Sequence, residues 1–389
     1  MVPVAFLKPR NLPGVRGVPA REKFVGGRPS LRVTLNAMLW PVEPIDPVTA
    51  PDGDLAGLHN LEIALELEAL PGEPVTPLAH LVAEYRHERP FAVRKAWVVR
   101  QGGSTGEIAA WASVSYTDVP ENRNHAHVWV AVHPDVRGLG LGSTLMARVV
   151  DAARRWGCTV LDFESRVGGP GEPFLRWIGA ERRLIERRSR CRTADIDRDL
   201  LEGWVRRAGE RAAGYSLVAW DGPCPDELLD AFVALKDVMN TAPLEAFEWD
   251  DEHFTAEHWR AVEATMEARG FDTWQVCARH DDSGELAGYT ELTLPRLWPG
   301  ASWQEDTGVW PKHRDRGLGR WLKAVNALRL LDERPEVEFI DTWNAGSNEA
   351  MLGINVAMGF QPLENWGDWQ APTAAVAEAL DRRRRAAAS

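Results

Sequence analysis

The sequence predicts a mixed α/β fold in which one domain occurs twice in tandem. At 389 residues the chain is too long for one ordinary α/β domain and suits two of roughly 150 to 190 residues. An internal repeat supports this division, because residues 125–153 align with residues 302–330 at a constant offset of 177 residues, set by Arg137 and Arg314. In each copy an alternating apolar run leads into a glycine-rich turn and then into apolar residues at helical spacing, which indicates strand, loop and helix.

Identical residues recur at equivalent positions of the two copies. Chance is a poor explanation for so many coincidences within one strand, one turn and one helix. Besides the two arginines, the pairs are Val132/Val309, Pro134/Pro311, Gly140/Gly317, Gly142/Gly319 and Leu145/Leu322.

Further elements surround each repeat. Alternating or apolar runs predict two strands before each glycine turn and one strand after the helix, which gives both copies a mixed sheet. The predicted strands are 92–99, 107–116 and 159–163 in the first copy and 273–278, 285–294 and 337–342 in the second. Helices are predicted at 225–239 and 256–269, and a charged connecting helix at 195–213.

Charge and composition divide the chain into four parts. Residues 1–32 carry seven basic residues against the single acid Glu22 and predict a flexible basic arm. The first domain is expected at 33–193 and the second at 194–372, followed by an arginine-rich tail at 373–389 whose basic end suits a helix C-terminus.

The overall composition excludes several classes of protein. A formal net charge of −12 argues against a nucleic-acid binder, which needs a basic face. No apolar run reaches the roughly 18 residues of a membrane span, and the N-terminus lacks the hydrophobic stretch of a secretory signal, so we expect a cytoplasmic protein. The four cysteines have no metal-site spacing, so no metal is expected.

The chemical signal is the motif Arg-x-x-Gly-x-Gly between strand and helix, at Arg137 to Gly142 and again at Arg314 to Gly319. Glycines let successive backbone N–H groups point into one concavity, and the helix that follows presents its positive end there. This arrangement suits a diphosphate. A dinucleotide fold also uses such a turn, but with Gly-x-Gly-x-x-Gly order and an acidic residue about 20 positions later.

At these residues the chain resembles the GNAT acetyltransferase superfamily, in which this motif binds the diphosphate of acetyl-CoA. The segment 344–360, with its asparagines and the closing Gly359-Phe360, is similar to the second half of that fold, where splayed central strands admit pantetheine. The resemblance implies acetyl-CoA, or another acyl-CoA, as the acyl donor. The cofactor-binding residues that it implies are Val132, Arg137, Gly138, Leu139, Gly140, Leu141, Gly142 and Ser143 in the first copy, and Val309, Arg314, Asp315, Arg316, Gly317, Leu318, Gly319, Arg320 and Asn348 in the second.

Neither copy has the tyrosine that protonates the leaving thiolate in many members of this superfamily. Asn355 and Leu175 stand at that position. The first copy also lacks the asparagines and has prolines at its last helix. We therefore expect the second copy to catalyse the reaction and the first copy to bind CoA without catalysis. His125 and His127 share one face of a strand and could act as bases, so catalysis by the first copy stays an alternative.

The candidate catalytic residues of the second copy are Glu291, Asp306, Asn344 and Asn355. A buried carboxylate at Glu291 or Asp306 could relay a proton from the incoming ammonium, as could Glu305 beside them; the alternative is that they are structural, hydrogen-bonded acids. Asn344 and Asn355 could orient pantetheine or the acceptor. Asn348 begins the final helix, so helix capping competes with cofactor binding there.

The expected activity is acetyl transfer to the amine of a small molecule, by direct attack in a ternary complex. An acidic segment, Glu245, Glu248, Asp250, Asp251 and Glu252, could attract the cationic acceptor or could simply be solvated. The alternatives are a non-catalytic CoA-binding or scaffold protein and a transferase that uses a bulkier or carrier-bound acyl donor. Monomer and homodimer are both open.

Overall fold

The computed structural model describes residues 40–103 and 105–388, so the expected arm at 1–32 lies outside the described residues. The described part forms one sheet of twelve strands with ten α-helices. None of these helices is long and apolar enough to cross a membrane.

The first half follows the order that the sequence predicts, with a short strand and two helices added before it. Its elements are β1 (Val42–Ile45), α1 (Asp52–Ala69), α2 (Leu78–Arg86), β2 (Ala92–Arg100), β3 (Ile108–Thr117), β4 (His125–Val132), α3 (Leu141–Trp156), β5 (Val160–Arg166), α4 (Gly171–Trp177) and β6 (Glu181–Arg192).

The second half repeats this order after the connecting helix. Its elements are α5 (Arg198–Arg211), β7 (Tyr215–Asp221), α6 (Asp226–Lys236), α7 (Ala256–Ala268), β8 (Phe271–His280), β9 (Leu286–Pro295), β10 (Ala301–Val309), α8 (Leu318–Glu333), β11 (Phe339–Ala345), α9 (Glu349–Ala357), β12 (Gln361–Pro372) and α10 (Thr373–Ala388). Residues 373–388 of the expected tail thus form a helix, and its apolar face packs in the core of the first half.

The two halves exchange their last strands. The strand order is β1-β2-β3-β4-β5-β12-β6-β11-β10-β9-β8-β7. The last strand of the second half, β12, therefore pairs with β5 of the first half, while β6 pairs with β11 of the second. The antiparallel pair β6–β12 joins the two halves into one continuous sheet. The pattern of apolar residues did not predict this exchange, and the domain boundary at 193/194 stays a prediction.

Helices cover both faces of the sheet. Helices α3 and α10 pack on one face in the first half, and α5 and α8 pack on that face in the second. Helices α1, α2, α6 and α7 lie on the opposite face. There α2 contacts the second half, since His80 stacks on Trp303 with ring centroids 5.8 Å apart. The two halves therefore enclose the space between these four helices.

A network of buried ion pairs crosses the exchanged strands. Arg188 and Arg190 of β6 bind Asp341 of β11 with N···O distances of 2.7 and 2.6 Å. Arg188 also binds Glu364 of β12 at 2.7 Å, and Glu364 in turn binds Arg166 of β5 at 2.7 Å. Because Arg188 and Asp341 are only 2% and 1% exposed, each charge depends on the others for its compensation.

We expect Asp341→Asn to lower the free energy of unfolding by about 3–5 kcal/mol, because it leaves two buried guanidinium groups without their shared carboxylate. The matched control is Asp332→Asn, which breaks the exposed pair with Arg198 and should leave stability nearly unchanged. Urea unfolding of both variants tests this. Equal effects would contradict a dominant role for the buried network.

Candidate active site

The central strands of each half diverge after a short parallel pairing. In the second half β10 pairs with β11 only from Ala301/Phe339 to Trp303/Asp341. In the first half β4 pairs with β5 only from His125/Val160 to Val128/Phe163. The remaining residues of β4 and β10 lead away from their neighbours, so both halves have the parted strands that the sequence analysis expected.

The glycine turn that follows has the same backbone in both halves. A short 3₁₀ turn, Pro134–Val136 or Pro311–His313, precedes it, and a helix of 16 residues follows. Gly140 and Gly317 cap these helices with φ of 88° and 79°, in the left-handed region that glycine adopts most easily. No side chain caps either helix, so their first N–H groups face the turn.

The leading arginine of each motif holds the turn to its strand. Arg314 Nε donates to the carbonyl of Val309 at 2.9 Å, and Arg137 Nε donates to the carbonyl of Val132 at 3.3 Å. Arg137 also makes a bidentate ion pair with Glu68, in which both N···O distances are 2.7 Å. The arginines thus stabilise the loops, and anion binding there would rely on backbone N–H groups.

A β-bulge distinguishes the second half. Between Gln304, opposite Leu292, and Thr307, opposite Thr290, strand β10 has one extra residue, so Glu305 and Asp306 both face Glu291 of β9. In the first half β3 and β4 stay in register, and Ser113 faces Trp129. Val132 and Val309 are equivalent positions of the repeat. Relative to them, Ser113 stands at the position of Glu291, and Trp129 stands at the position of Asp306. The bulge therefore brings Glu291, Glu305 and Asp306 together beside the parted strands of the second half.

A buried lysine organises these carboxylates. Lys236 of α6 places Nζ 2.8 Å from Asp306 Oδ2 and 3.6 Å from Glu291 Oε2. Tyr289 donates its hydroxyl to the same Asp306 oxygen at 2.9 Å. Glu305 stands apart from the lysine and accepts a hydrogen bond from Thr293 Oγ1 at 2.8 Å. The structure thus brings the predicted Glu291 and Asp306 together, and it adds Lys236 and Tyr289 to them.

The three carboxyl groups have different proton affinities. Burial alone would raise the pKa of Asp306, but Lys236 and the Tyr289 hydroxyl hold it below its ordinary value. Burial raises the pKa of Glu291 despite the opposing charge of Lys236. Burial, and after it the neighbouring Glu291, raises the pKa of Glu305 to about 7. Glu305 is therefore the group best suited to accept and release a proton near neutral pH.

The predicted asparagines lie elsewhere. Asn355 of α9 donates to Asn344 Oδ1 of β11 at 2.7 Å. Alternation along β11 puts Asn344 on the face opposite Asp341, away from the carboxylates. Asn348 caps α9, because its Oδ1 accepts from the backbone N–H of Met351 at 3.3 Å. Roles for these asparagines towards a cofactor stay predictions, and the structure does not bring them to Glu291 and Asp306.

A cavity of about 590 Å³ lies between the two halves. The carboxylates and Lys236 line it from the second half. From the first half it is lined by residues of α2, β3 and β4, including Tyr85, Trp111 and His127. The cavity opens on the sheet face that carries α1, α2, α6 and α7, so an acceptor bound there would contact both halves.

The predicted acidic segment crosses from the second half to the first. Residues 244–252, here called the crossing segment, bind β12 through two hydrogen bonds of 2.9 Å between Glu248 and Gln370. Its Trp249 packs against His125 and His127, with ring centroids 5.2 and 5.5 Å apart. His125 is further tied to Asp162 at 3.0 Å. The histidine pair of the first half is thus covered by an indole, and only Trp249 and Glu252 of this segment line the cavity.

Comparison with known proteins agrees with this architecture. Residues 61–168 match the acetyltransferase (GNAT) family model. A tandem GNAT protein from the clavulanic acid biosynthesis pathway is 27% identical, with a TM-score of 0.69 over 86% of this chain and 98% of that one. A GCN5-related N-acetyltransferase from Sphaerobacter thermophilus has the same fold, with 16% identity and a TM-score of 0.59 over 86% and 96% of the two chains. Curated protein sequences gave no match.

The first half therefore carries a GNAT domain, and the chain as a whole has the tandem GNAT fold. Proteins of this family generally use acyl-CoA, and their fold is that of acyltransferases. The resemblance found in the sequence is confirmed, as is the α/β fold with a mixed sheet.

Sequence reasoning missed Lys236, although the sequence contains a signal for it. The lysine ends a run of apolar residues on α6, where Phe232, Val233 and Leu235 are buried. A lysine at a buried helical position implies a nearby acid, because an uncompensated buried ammonium is unstable. The acids themselves were visible, but their pairing with this lysine depends on how α6 crosses β9 and β10.

We expect Gly140→Val and Gly317→Val each to abolish CoA retention by its own half, because a β-branched residue resists the left-handed backbone that shapes the turn. The control is Gly284→Val, which imposes the same strain at φ 73° in the β8–β9 hairpin. Native mass spectrometry of CoA complexes gives the stoichiometry of each variant. Full CoA occupancy in the double variant would refute the assignment of the loops.

Proposed function

We propose that the protein is an acyl-CoA-dependent N-acyltransferase that transfers acetyl from acetyl-CoA to the amine of a small molecule, with the chemistry in its second half. The observation that carries this proposal is the β10 bulge, which sets Glu305 and Asp306 against Glu291 on the cavity wall. The glycine loop at the end of the same strand supports it, since donor and acceptor would approach the bulge from opposite faces of the sheet.

Acetyl-CoA supplies the acyl group as a thioester. Glu305 takes a proton from the incoming ammonium, whose freed lone pair then attacks the thioester carbonyl. A C–N bond forms and the C–S bond breaks, and the leaving thiolate takes up the second proton that the nitrogen loses as it becomes an amide. Asp306 stays ionised beside Lys236 and favours the cationic form of the amine as it enters the cavity. Glu291 and Asp306 thus position and attract the amine, and Glu305 serves as the base.

The first half has a different role in this proposal. It keeps the glycine loop and matches the family model, but it has no bulge and no carboxylate at the places of Glu291 and Asp306. We propose that it holds CoA without turning it over and that it supplies one wall of the acceptor site. A bound CoA would lie along Val132 and residues 138–143, and in the second half along Val309 and residues 315–320.

The acceptor is a small-molecule amine in this proposal. A structurally similar tandem protein comes from the clavulanic acid biosynthesis pathway, which is consistent with work on a metabolite. The cavity volume of about 590 Å³ suits a ligand of that size. Release of free CoA from acetyl-CoA with a panel of primary amines tests the activity. Tight CoA binding without turnover of any amine would favour the alternative, a non-catalytic CoA-binding or scaffold protein.

We expect Glu305→Gln to lower kcat by about 10²- to 10⁴-fold, because the amide cannot accept the ammonium proton. In the parent enzyme kcat should rise with pH through about 7, where Glu305 loses its proton, and the variant should lack this limb. The control, Glu336→Gln, removes an exposed carboxylate bound to Arg334 and should leave the profile unchanged. An unaltered pH profile in Glu305→Gln would exclude Glu305 as the base.

A second comparison addresses the acyl group. The turnover of acetyl-CoA should exceed that of longer acyl-CoA thioesters, because Trp303 and Phe339, in the paired stretch from which β10 and β11 diverge, are buried in an aromatic cluster that limits the room for a longer chain. Steady-state kcat/KM values across an acyl-chain series measure this preference. Faster turnover of a long-chain thioester would favour the bulkier donor instead.

A further inference from the structure

The entrance of the cavity is formed by three segments from the two halves. Among the described residues that line the cavity, the exposed ones are Phe91, Asp118, Pro120, His253 and Thr255. They belong to the turn before β2, to the loop between β3 and β4, and to the segment before α7. The carboxylates of the proposed chemistry are less exposed, since Glu291 is buried and Glu305 and Asp306 are half-buried. An acceptor therefore passes these three segments before it reaches the carboxylates.

Phe91 holds an unfavourable backbone conformation at this entrance. It follows Pro90 in a tight turn that is closed by a 3.2 Å hydrogen bond from the Ala92 N–H to the Arg89 carbonyl. Its φ is 58°, in the left-handed region, where the third residue of such a turn is normally glycine or asparagine. A bulky side chain in that conformation destabilises the folded backbone, so the fold alone does not account for a phenylalanine at this position.

The ring of Phe91 also gains little from burial in the folded protein. Phe91 is 44% exposed, and among the exposed large apolar side chains of the described residues it alone lines the cavity. A strained backbone and an exposed aromatic ring are both unfavourable for folding. Such residues are typical of ligand sites, where a bound molecule completes the burial of the ring.

Two aromatic side chains of the second half continue the surface of Phe91. His258 of α7 meets Phe91 edge to face, with ring centroids 5.0 Å apart and an angle of 86° between the planes. Phe254 contacts the same imidazole with ring centroids 4.9 Å apart. Burial lowers the pKa of His258 despite the charge of Glu121, so this ring is uncharged at neutral pH. Phe91, His258 and Phe254, here called the aromatic rim, thus form a row of rings across the junction of the two halves.

We propose that the aromatic rim determines acceptor specificity by packing against an apolar body attached to the reacting amine. The substrate class is then a primary amine with an aromatic body, because rings pack favourably against rings and the half-buried Tyr85 and Trp129 also line the cavity. This inference rests on the proposed function for the reacting amine. The rim itself depends only on the position and exposure of its rings.

Two acids at the same entrance define the competing expectation. The backbone N–H of Asp118 donates to the Phe91 carbonyl at 2.8 Å, and the charge of Glu121 acts on His258. Both acids line the cavity, and carboxylates alone would favour a hydrophilic polycation. The acceptor class therefore depends on whether the rings or the acids dominate at the entrance.

The test compares the binding of 2-phenylethylamine, spermidine and ethanolamine to the full chain. Isothermal titration calorimetry measures the three affinities without turnover. 2-Phenylethylamine should bind about 10-fold more tightly than ethanolamine, because its ring is buried against the aromatic rim, and it should also bind more tightly than spermidine. Equal affinity for 2-phenylethylamine and ethanolamine overturns the proposal, as does a preference for spermidine.

Phe91→Ala and Phe91→Gly separate the ring from the backbone strain. Both remove the ring and should weaken binding of 2-phenylethylamine about 5- to 10-fold, with the affinity for ethanolamine unchanged. Only glycine removes the strain, so Phe91→Gly should have a higher Tm than Phe91→Ala. Phe91→Tyr retains an aromatic ring and should keep the parent's preference.

The matched control is Leu297→Ala, which removes an exposed apolar side chain outside the lining of the cavity. It should leave the affinities for all three amines unchanged. A preference for 2-phenylethylamine that survives both Phe91→Ala and Phe91→Gly overturns the proposal. An equal loss of that preference in Leu297→Ala does so too, because the effect would then not be specific to the rim.

Turnover separates this proposal from the activity on which it rests. If amines are acetylated with no regard to an aromatic body, the transferase stands and the role of the rim falls. If 2-phenylethylamine binds through Phe91 but no amine is acetylated, the rim stands and the transferase falls. In a positive result Phe91→Gly raises KM for 2-phenylethylamine about 5- to 10-fold with little change in kcat.

Discussion

The exchange of β6 and β12 is the constraint on which the rest of the structure depends. Each half has its last strand beside the other's central strands, and Arg188, Asp341 and Glu364 connect these strands by buried ion pairs. Such a joint cannot open like a hinge without exposing strand edges and unpaired charges. The walls of the central cavity, drawn from both halves, are therefore held in a fixed relation, and a binding site can be divided between them.

The two copies of the domain share their glycine turn but differ in the side chains beside it. The glycine turn is conserved in geometry down to the left-handed residues Gly140 and Gly317, so both copies keep what is needed for a diphosphate. The neighbouring strand has diverged, because one extra residue in β10 aims Glu305 and Asp306 at Glu291 where the first half has Trp129 and Ser113. A single insertion in a strand thus accounts for much of the chemical difference between the copies.

Much of the fold was predictable from local pattern. Periodicity gave the strands β2, β3, β8 and β9 to within two or three residues, and the repeat gave the tandem arrangement. The strand exchange was not predictable, since the pattern of a strand shows that it is buried but not which strand lies beside it. The carboxylates of the site were visible in the sequence, whereas the choice of Glu305 over Asp306 depends on Lys236, which reaches only one of them.

The position of β12 has a consequence for how the chain is made. The first half emerges from the ribosome long before β12, so the edge of β5 stays open until the second half has been synthesised. An open edge is prone to pair with the wrong strand, and here β6, which lies next in the sequence, is the nearest competitor. The sheet of the first half is complete only when β12 has paired with β5, so the first half cannot finish folding before the second half is made. A chain truncated before β12 would leave both sheets incomplete.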